Sequence, residues 1–259
     1  MKKKLYQIII VCLLLAQTSL AQNARFATQG VIEYEKKVNM YALIKDQVKK
    51  NPTRSYYAQA FEDYQKKNPQ FKIMKSSLTF SKDQTLFKPV DDEVMSSGFF
   101  DFESASQNNI IATNTVATTS IAQKKVFEET YLVKDSTRKI NWKITNEVRN
   151  IAGYDCRRAN ALIMDSVYVV AFYTDEIPVS GGPETFSGLP GMILGVALPY
   201  EHITWFATSV TDAPVTDEKQ LKPPVKGKPV DSKQLTAILK AATKDWGEWG
   251  QDALKAFLL

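Results

Sequence analysis

The segment Ile140-Asn-Trp-Lys-Ile-Thr-Asn-Glu-Val-Arg149 decides how the rest of the chain is read. Ile140, Trp142, Ile144 and Val148 fall on one side of an extended chain. Asn141, Lys143, Thr145, Glu147 and Arg149 fall on the other. A period of two with one apolar side is the mark of a half-buried strand. Asn150–Gly153 supplies turn residues, and residues 154–164 read as the returning strand. Asp165-Ser166 is a second tight turn. Val167–Tyr173 follows as an unbroken apolar run, which predicts a strand buried on both faces. Met192–Leu198 has the same character, and Ile203–Val210 closes the series. The middle of the chain is therefore expected to be an antiparallel meander with short connections.

Toward the N-terminus, residues 30–38 alternate, with Ile32, Tyr34 and Val38 on one face and Glu33, Glu35 and Lys37 on the other. Tyr57, Phe61 and Tyr64 recur at helical spacing over 54–66, and Asn68-Pro69 stops the helix. Phe71–Phe80 and Thr85–Lys88 suggest a hairpin, and Val126–Val133 a further strand. Residues 91–119 are rich in Asp, Ser, Asn and Thr and read as loop with an edge strand.

Toward the C-terminus, Lys222-Pro-Pro-Val-Lys-Gly-Lys-Pro229 reads as an extended, solvated linker within 220–231. Leu235, Ile238, Leu239 and Ala242 then form a helical stripe, and apolar residues continue to Phe257. The expected fold class is α+β: one domain over 22–219 dominated by a curved antiparallel β-sheet, open or like half a barrel, with an early helix. A helical segment at 232–259 is expected to pack on the sheet and could serve as its lid.

The first 21 residues join Lys2-Lys-Lys4 to a short apolar run, Ile8–Ala16, and a small-x-small site ending at Ala21. This pattern predicts a cleaved signal peptide, hence export to the periplasm or beyond. The apolar run is shorter than the roughly 20 residues a bilayer span needs, and no later segment is expected to cross a membrane. The leader holds three of the 33 basic residues and no acidic one, so the remaining formal charge is +2. Clustered Lys and Arg of the kind that marks a nucleic-acid partner are absent. Removal of the leader takes Cys12 with it and leaves Cys156. An internal disulfide is then excluded, and the remaining thiol is packed, intermolecular or reactive.

The connection between the two apolar strands is unusual: Gly182-Pro-Glu-Thr-Phe-Ser-Gly-Leu-Pro-Gly191 runs directly into Met192-Ile-Leu. Prolines fix φ and glycines permit positive φ or close approach. The segment encodes a backbone shape and carries no nucleophile-elbow pattern. Gly188-Leu-Pro-Gly-Met-Ile193 resembles the signature of the GLPGLI family of exported bacterial proteins, with Met192 at the usual Leu position. Ile151-Ala-Gly-Tyr-Asp-Cys-Arg-Arg-Ala159, Tyr173–Pro178, Gly182-Pro183 and the opening Gly30-Val-Ile-Glu-Tyr34 match the family pattern as well. The resemblance implies export and a β-rich domain. It brings no established activity and no catalytic residues.

Candidate chemistry is sparse. Arg157 and Arg158 beside Cys156 could favour a thiolate, whereas a free cysteine is more often a packed apolar residue. A Cys156/His202 dyad would make the protein a thiol-dependent enzyme, provided the two side chains meet. His202 follows Pro199-Tyr-Glu201, a hairpin turn, and is expected near a strand start. Zinc lacks ligands, and copper ligation by Cys156, His202, Met164 or Met192 lacks ligand spacing. No metal or cofactor is expected. Asp175-Glu176 reads as turn solvation. The expectation is a non-enzymatic binding protein for an envelope partner or an apolar molecule, with a hydrophobic-molecule carrier as a variant. Its expected contact surface is Ile177, Pro178, Gly182, Pro183, Gly188, Leu189, Pro190 and Gly191.

Overall fold

A computed structural model describes residues 26–90 and 100–259, apart from the side chains of Glu218 and Lys219. The expected signal peptide lies outside the described residues. Among the described residues twelve strands form one open sheet: β1 (Gln29–Asn39), β2 (Phe71–Ser81), β3 (Gln84–Pro89), β4 (Ile110–Asn114), β5 (Thr119–Val126), β6 (Glu129–Ser136), β7 (Lys143–Ile151), β8 (Tyr154–Ile163), β9 (Val167–Thr174), β10 (Met192–Leu198), β11 (Ile203–Thr211) and β12 (Lys228–Val230). Among the described residues four α-helices accompany them: α1 (Met40–Lys50), α2 (Ser55–Lys67), α3 (Ser232–Thr243) and α4 (Glu248–Leu258).

The spatial order is β12-β6-β5-β4-β3-β2-β1-β11-β10-β9-β8-β7. The chain thus forms two antiparallel meanders, β2–β6 and β7–β11, and β1 joins them by pairing with both β2 and β11. The antiparallel meander expected over 140–210 is β7–β11, whereas β6 and β7 follow each other in sequence but lie ten strand steps apart in the sheet. This arrangement forces curvature. Ten spacings of about 4.8 Å would separate β6 and β7 by about 48 Å in a flat sheet. Only residues 137–142 connect them, and seven extended steps reach at most about 25 Å. The sheet therefore curls into a trough, and residues 137–142 run across its open side as a strap.

The edge strands also correct the sequence reading. β7 carries the cleanest alternation yet is the terminal strand, with a register break between Ile144 and Val148. Both of those side chains stand exposed, at 41% and 56%. Lys143, Glu147 and Arg149 charge this edge, a common guard against further pairing. The opposite edge is β12, three residues from the expected linker that pair parallel with β6. Its shortness and Pro229 make it a poor template for another strand.

The trough is filled from two directions. Ile177, Val179, Phe186 and Leu189 of the β9–β10 connection are almost wholly buried against inward residues of β9–β11. From the other side come α3 and α4, whose Leu235, Leu239, Ala253 and Phe257 are buried. Asp231 and Gln234 form a reciprocal capping box at the start of α3, which satisfies two backbone donors that would otherwise lack partners. Helices α1 and α2 are inserted between β1 and β2. Asn39 accepts from the Ala42 N–H at 3.2 Å to start α1, and Tyr41 packs edge-on to Phe61 and Tyr64 of α2.

Candidate functional site

Between the inner surface of β3–β6, the β9–β10 connection and the two C-terminal helices lies a cleft of about 460 Å³. Ile111, Val133, Met164, Phe186, Leu235 and Phe257 give it an apolar wall. Lys124, Arg138 and Glu184 bring charge into the same space. A concave apolar site with a few converging polar groups is the usual form of a small-molecule pocket.

The charged residues arrive there by strand geometry. Lys36 and Lys124 occupy inward positions of β1 and β5, in phase with Ile32, Tyr34 and Val38 and with Ala122 and Val126. They are 6% and 4% exposed. The Lys36 ammonium lies 5.1 Å from the centre of the Trp205 ring. The Lys124 ammonium donates to the Phe257 carbonyl at 3.0 Å. Arg138, on the strap, donates through Nη2 to the Leu258 carbonyl. The Thr185 hydroxyl donates to the Leu259 oxygen at 2.8 Å. Lys124 and Arg138 thus secure the last two carbonyls of α4, where helical acceptors lack partners and cations are favoured, and Thr185 holds the residue that follows.

Glu184 is 7% exposed and sits at φ 52°, a strained conformation for a non-glycine residue. It accepts from Asn109 Nδ2 at 2.9 Å. Burial lowers the Lys124 pKa to about 8, opposed by the Glu184 carboxylate and assisted by Arg138 and Lys36. Burial likewise lowers Lys36 to about 8, with Glu184 opposing and Lys72 assisting. Arg138 is lowered by burial too. A smaller void beside Glu184 is lined by Gln107, Asn109 and Trp205. Gln107 Oε1, Asn109 Oδ1 and Trp205 Nε1 are buried there without a hydrogen-bond partner.

The eight connection residues singled out from the sequence divide by position. Ile177, Gly182, Pro183, Leu189 and Gly191 are buried, while Pro178, Gly188 and Pro190 face outward. The inner wall uses Gly182 but also Gly181, Glu184, Thr185, Phe186 and Ser187. The strap lies on this segment, with the Trp142 indole donating to the Ser187 carbonyl at 2.9 Å.

Cys156 and His202 are engaged elsewhere. Cys156 is fully buried, and its thiol faces the Tyr154 carbonyl at 3.5 Å. Burial, followed by the Asp155 and Glu176 carboxylates, pushes the thiol up to about 12, opposite to the direction its neighbouring arginines suggest. His202, in the left-handed region, immediately precedes β11 and contacts Asp46 of α1, Nε2 to Oδ2, at 2.9 Å. Burial raises the Asp46 pKa, but the hydrogen bond and charge of His202, together with Lys49, outweigh it and hold the carboxyl below its usual value. The described residues contain no group of three or more His, Cys, Asp or Glu able to hold a metal ion. They also contain no helix long and apolar enough to cross a membrane.

Sequence reasoning did not single out Lys36, Lys124, Arg138 or Glu184. The alternation of β1 and β5 carries the signal for the two lysines, since each falls on the apolar side of its strand. Nothing local marks Arg138, because its position depends on the strap crossing the trough.

The fold is similar to that of PNGF-II in two crystal forms. One match, in space group P21, has 19% identity and a TM-score of 0.50 and covers 82% of this chain and 33% of that one. The other, in C2, has 16% identity and a TM-score of 0.51 and covers 81% and 32%. This chain therefore spans about a third of the PNGF-II chains it resembles. At such identities the likeness concerns the fold. No curated protein matches the sequence. Residues 162–195, which run from the end of β8 through β9 and the buried connection into β10, match a family described as "Protein of unknown function (Porph_ging)".

Proposed function

We propose that this chain is an exported, non-enzymatic binding protein that holds a small molecule with an apolar body in the trough cleft. The observation that carries the reading is the cleft itself. Its volume of about 460 Å³ falls within the roughly 300–1,000 Å³ typical of ligand sites. Its walls come from the sheet, residues 181–187 of the glycine-rich connection and α3–α4; Gly188–Ile193, which resembles the GLPGLI signature, leads that wall into β10. The same resemblance and the basic-apolar leader support export. The rival thiol enzyme is disfavoured by a buried, protonated Cys156 and by the engagement of His202 with Asp46.

Titration of the protein, purified without detergent, with the neutral dye N-phenyl-1-naphthylamine tests this. One-to-one enhancement of dye fluorescence is expected. Thr236 lines the cleft from α3 and is partly exposed, so Thr236→Trp should block the site and weaken dye binding at least tenfold. Absence of saturable binding, or binding indifferent to Thr236→Trp, would refute it.

A further inference from the structure

The cleft contains more cationic hydrogen-bonding capacity than its own structure uses. An ammonium has three donors and a guanidinium five. Lys124 places one donor on Phe257. Arg138 uses Nη2 on Leu258, while Nη1 is buried without a partner. The ion pairs among the described residues include neither of them, nor Lys36. The two carboxylates that line the cleft are otherwise engaged. Glu184 takes the Asn109 amide at 2.9 Å, and Asp135 takes the Ser232 N–H at 3.0 Å. The Glu184 charge offsets only part of the burial of Lys124 and Lys36; burying cations that are incompletely paired is costly, and a bound anion would offset that cost with charge-assisted hydrogen bonds.

From this juxtaposition we infer that the cleft ligand is an anionic amphiphile, with its carboxylate or phosphate head held by Lys124 and Arg138 and its apolar chain along Ile111, Val133, Phe186 and Leu235. The inference rests on the cleft-binding reading above. It adds the chemical class of the ligand and gives the two cations a second task. While they hold the end of α4, their remaining donors take the head group.

The test displaces N-phenyl-1-naphthylamine at pH 7 with dodecanoate, dodecyl phosphate and dodecanol, which share one apolar chain. The anionic amphiphiles are expected to displace dye at concentrations at least tenfold below dodecanol. Dodecanoate against dodecyl phosphate identifies the head group. Lys124→Gln and Arg138→Gln replace the charge with a neutral amide and should each reduce the anionic preference by threefold or more, read within each variant as the ratio of dodecanol to anionic-amphiphile displacement concentrations. Equal displacement by dodecanol and both anionic amphiphiles in the wild-type protein would overturn the inference with the cleft reading intact. So would a preference that survives both substitutions. Failure of the dye to bind the wild-type protein would instead remove the cleft reading on which it rests.

Discussion

Three glycines of the β9–β10 connection should respond to the same substitution, Gly→Ala, with very different losses. Gly188 is exposed at φ +92°, and a Cβ there would have Trp142 Nε1 as its nearest neighbour at 3.7 Å. The cost is then backbone strain alone, about 1–2 kcal/mol. Gly182 has an ordinary φ, but its Cβ would meet the Phe186 oxygen at 2.7 Å and Ile193 Cβ at 2.8 Å. Neither is a flexible side-chain tip, so the cleft wall must move, at about 2–3 kcal/mol for an overpacked site. Gly191 combines φ +149° with a Cβ driven into the Thr174 carbonyl. That carbonyl belongs to the strand which Gly191 must pass to begin β10, so neither backbone can yield alone, and about 4 kcal/mol or more is expected. Urea unfolding followed by circular dichroism reads the series directly. With an m-value of about 3 kcal/mol/M, Gly188→Ala shifts the midpoint by about 0.5 M and Gly191→Ala by more than 1 M. If Gly191→Ala proves as mild as Gly188→Ala, the claim that the connection is built as a rigid wall is wrong.

The buried lysines predict an alkaline gain in stability. Their folded pKa values, about 8, lie below the ordinary 10.5, so between those values the folded state holds fewer protons than the unfolded state. Unfolding free energy should then rise with pH from about 8 toward 10, by up to about 1 kcal/mol per pH unit for each lysine. Urea midpoints at pH 7.5, 8.5 and 9.5 measure the slope, and Lys36→Met and Lys124→Met should each flatten it; a fall across this range contradicts the assignment. Cys156 should resist iodoacetamide at pH 8 in native buffer and react fully in urea; rapid native labelling would contradict its burial. Arg149 lies 4.8 Å from the centre of the Phe206 ring and 5.7 Å from that of Phe172. Arg149→Ala should lower stability by about 1 kcal/mol, whereas an unchanged urea midpoint would show the stacking to be incidental.

Strands were the most legible part of the sequence because their apolar periodicity is local. Residues 167–173 and 192–198 read as buried strands and are β9 and β10. Val126–Val133 straddles the turn between β5 and β6; the true start of β5 is hidden because Lys124, although inward, interrupts its apolar pattern. Helix α1 escaped notice because it follows β1 with no breaker between them, only the Asn39 cap. The placement of β7 was misleading for a different reason. A strand that alternates well can pack its apolar side or leave it at an edge, and the outcome depends on which strands lie beside it. That is settled by β1 pairing with β11 across more than 160 residues of chain. The candidate site was legible only in its glycine-rich wall, since its cations come from β5 and the strap, which local sequence does not place together.

The strap links topology to the site. A sheet of this width with β6 and β7 at opposite ends requires a connection across the trough, and the shortness of residues 137–142 fixes how far the trough can open. The same residues place Arg138 against the end of α4 and Trp142 on the buried connection. The curvature that creates the cleft, the cation that lines it and the clamp on its wall are therefore consequences of one connection. Lengthening the strap would relax all three together, whereas Arg138→Gln would remove the charge and leave the curvature and the clamp.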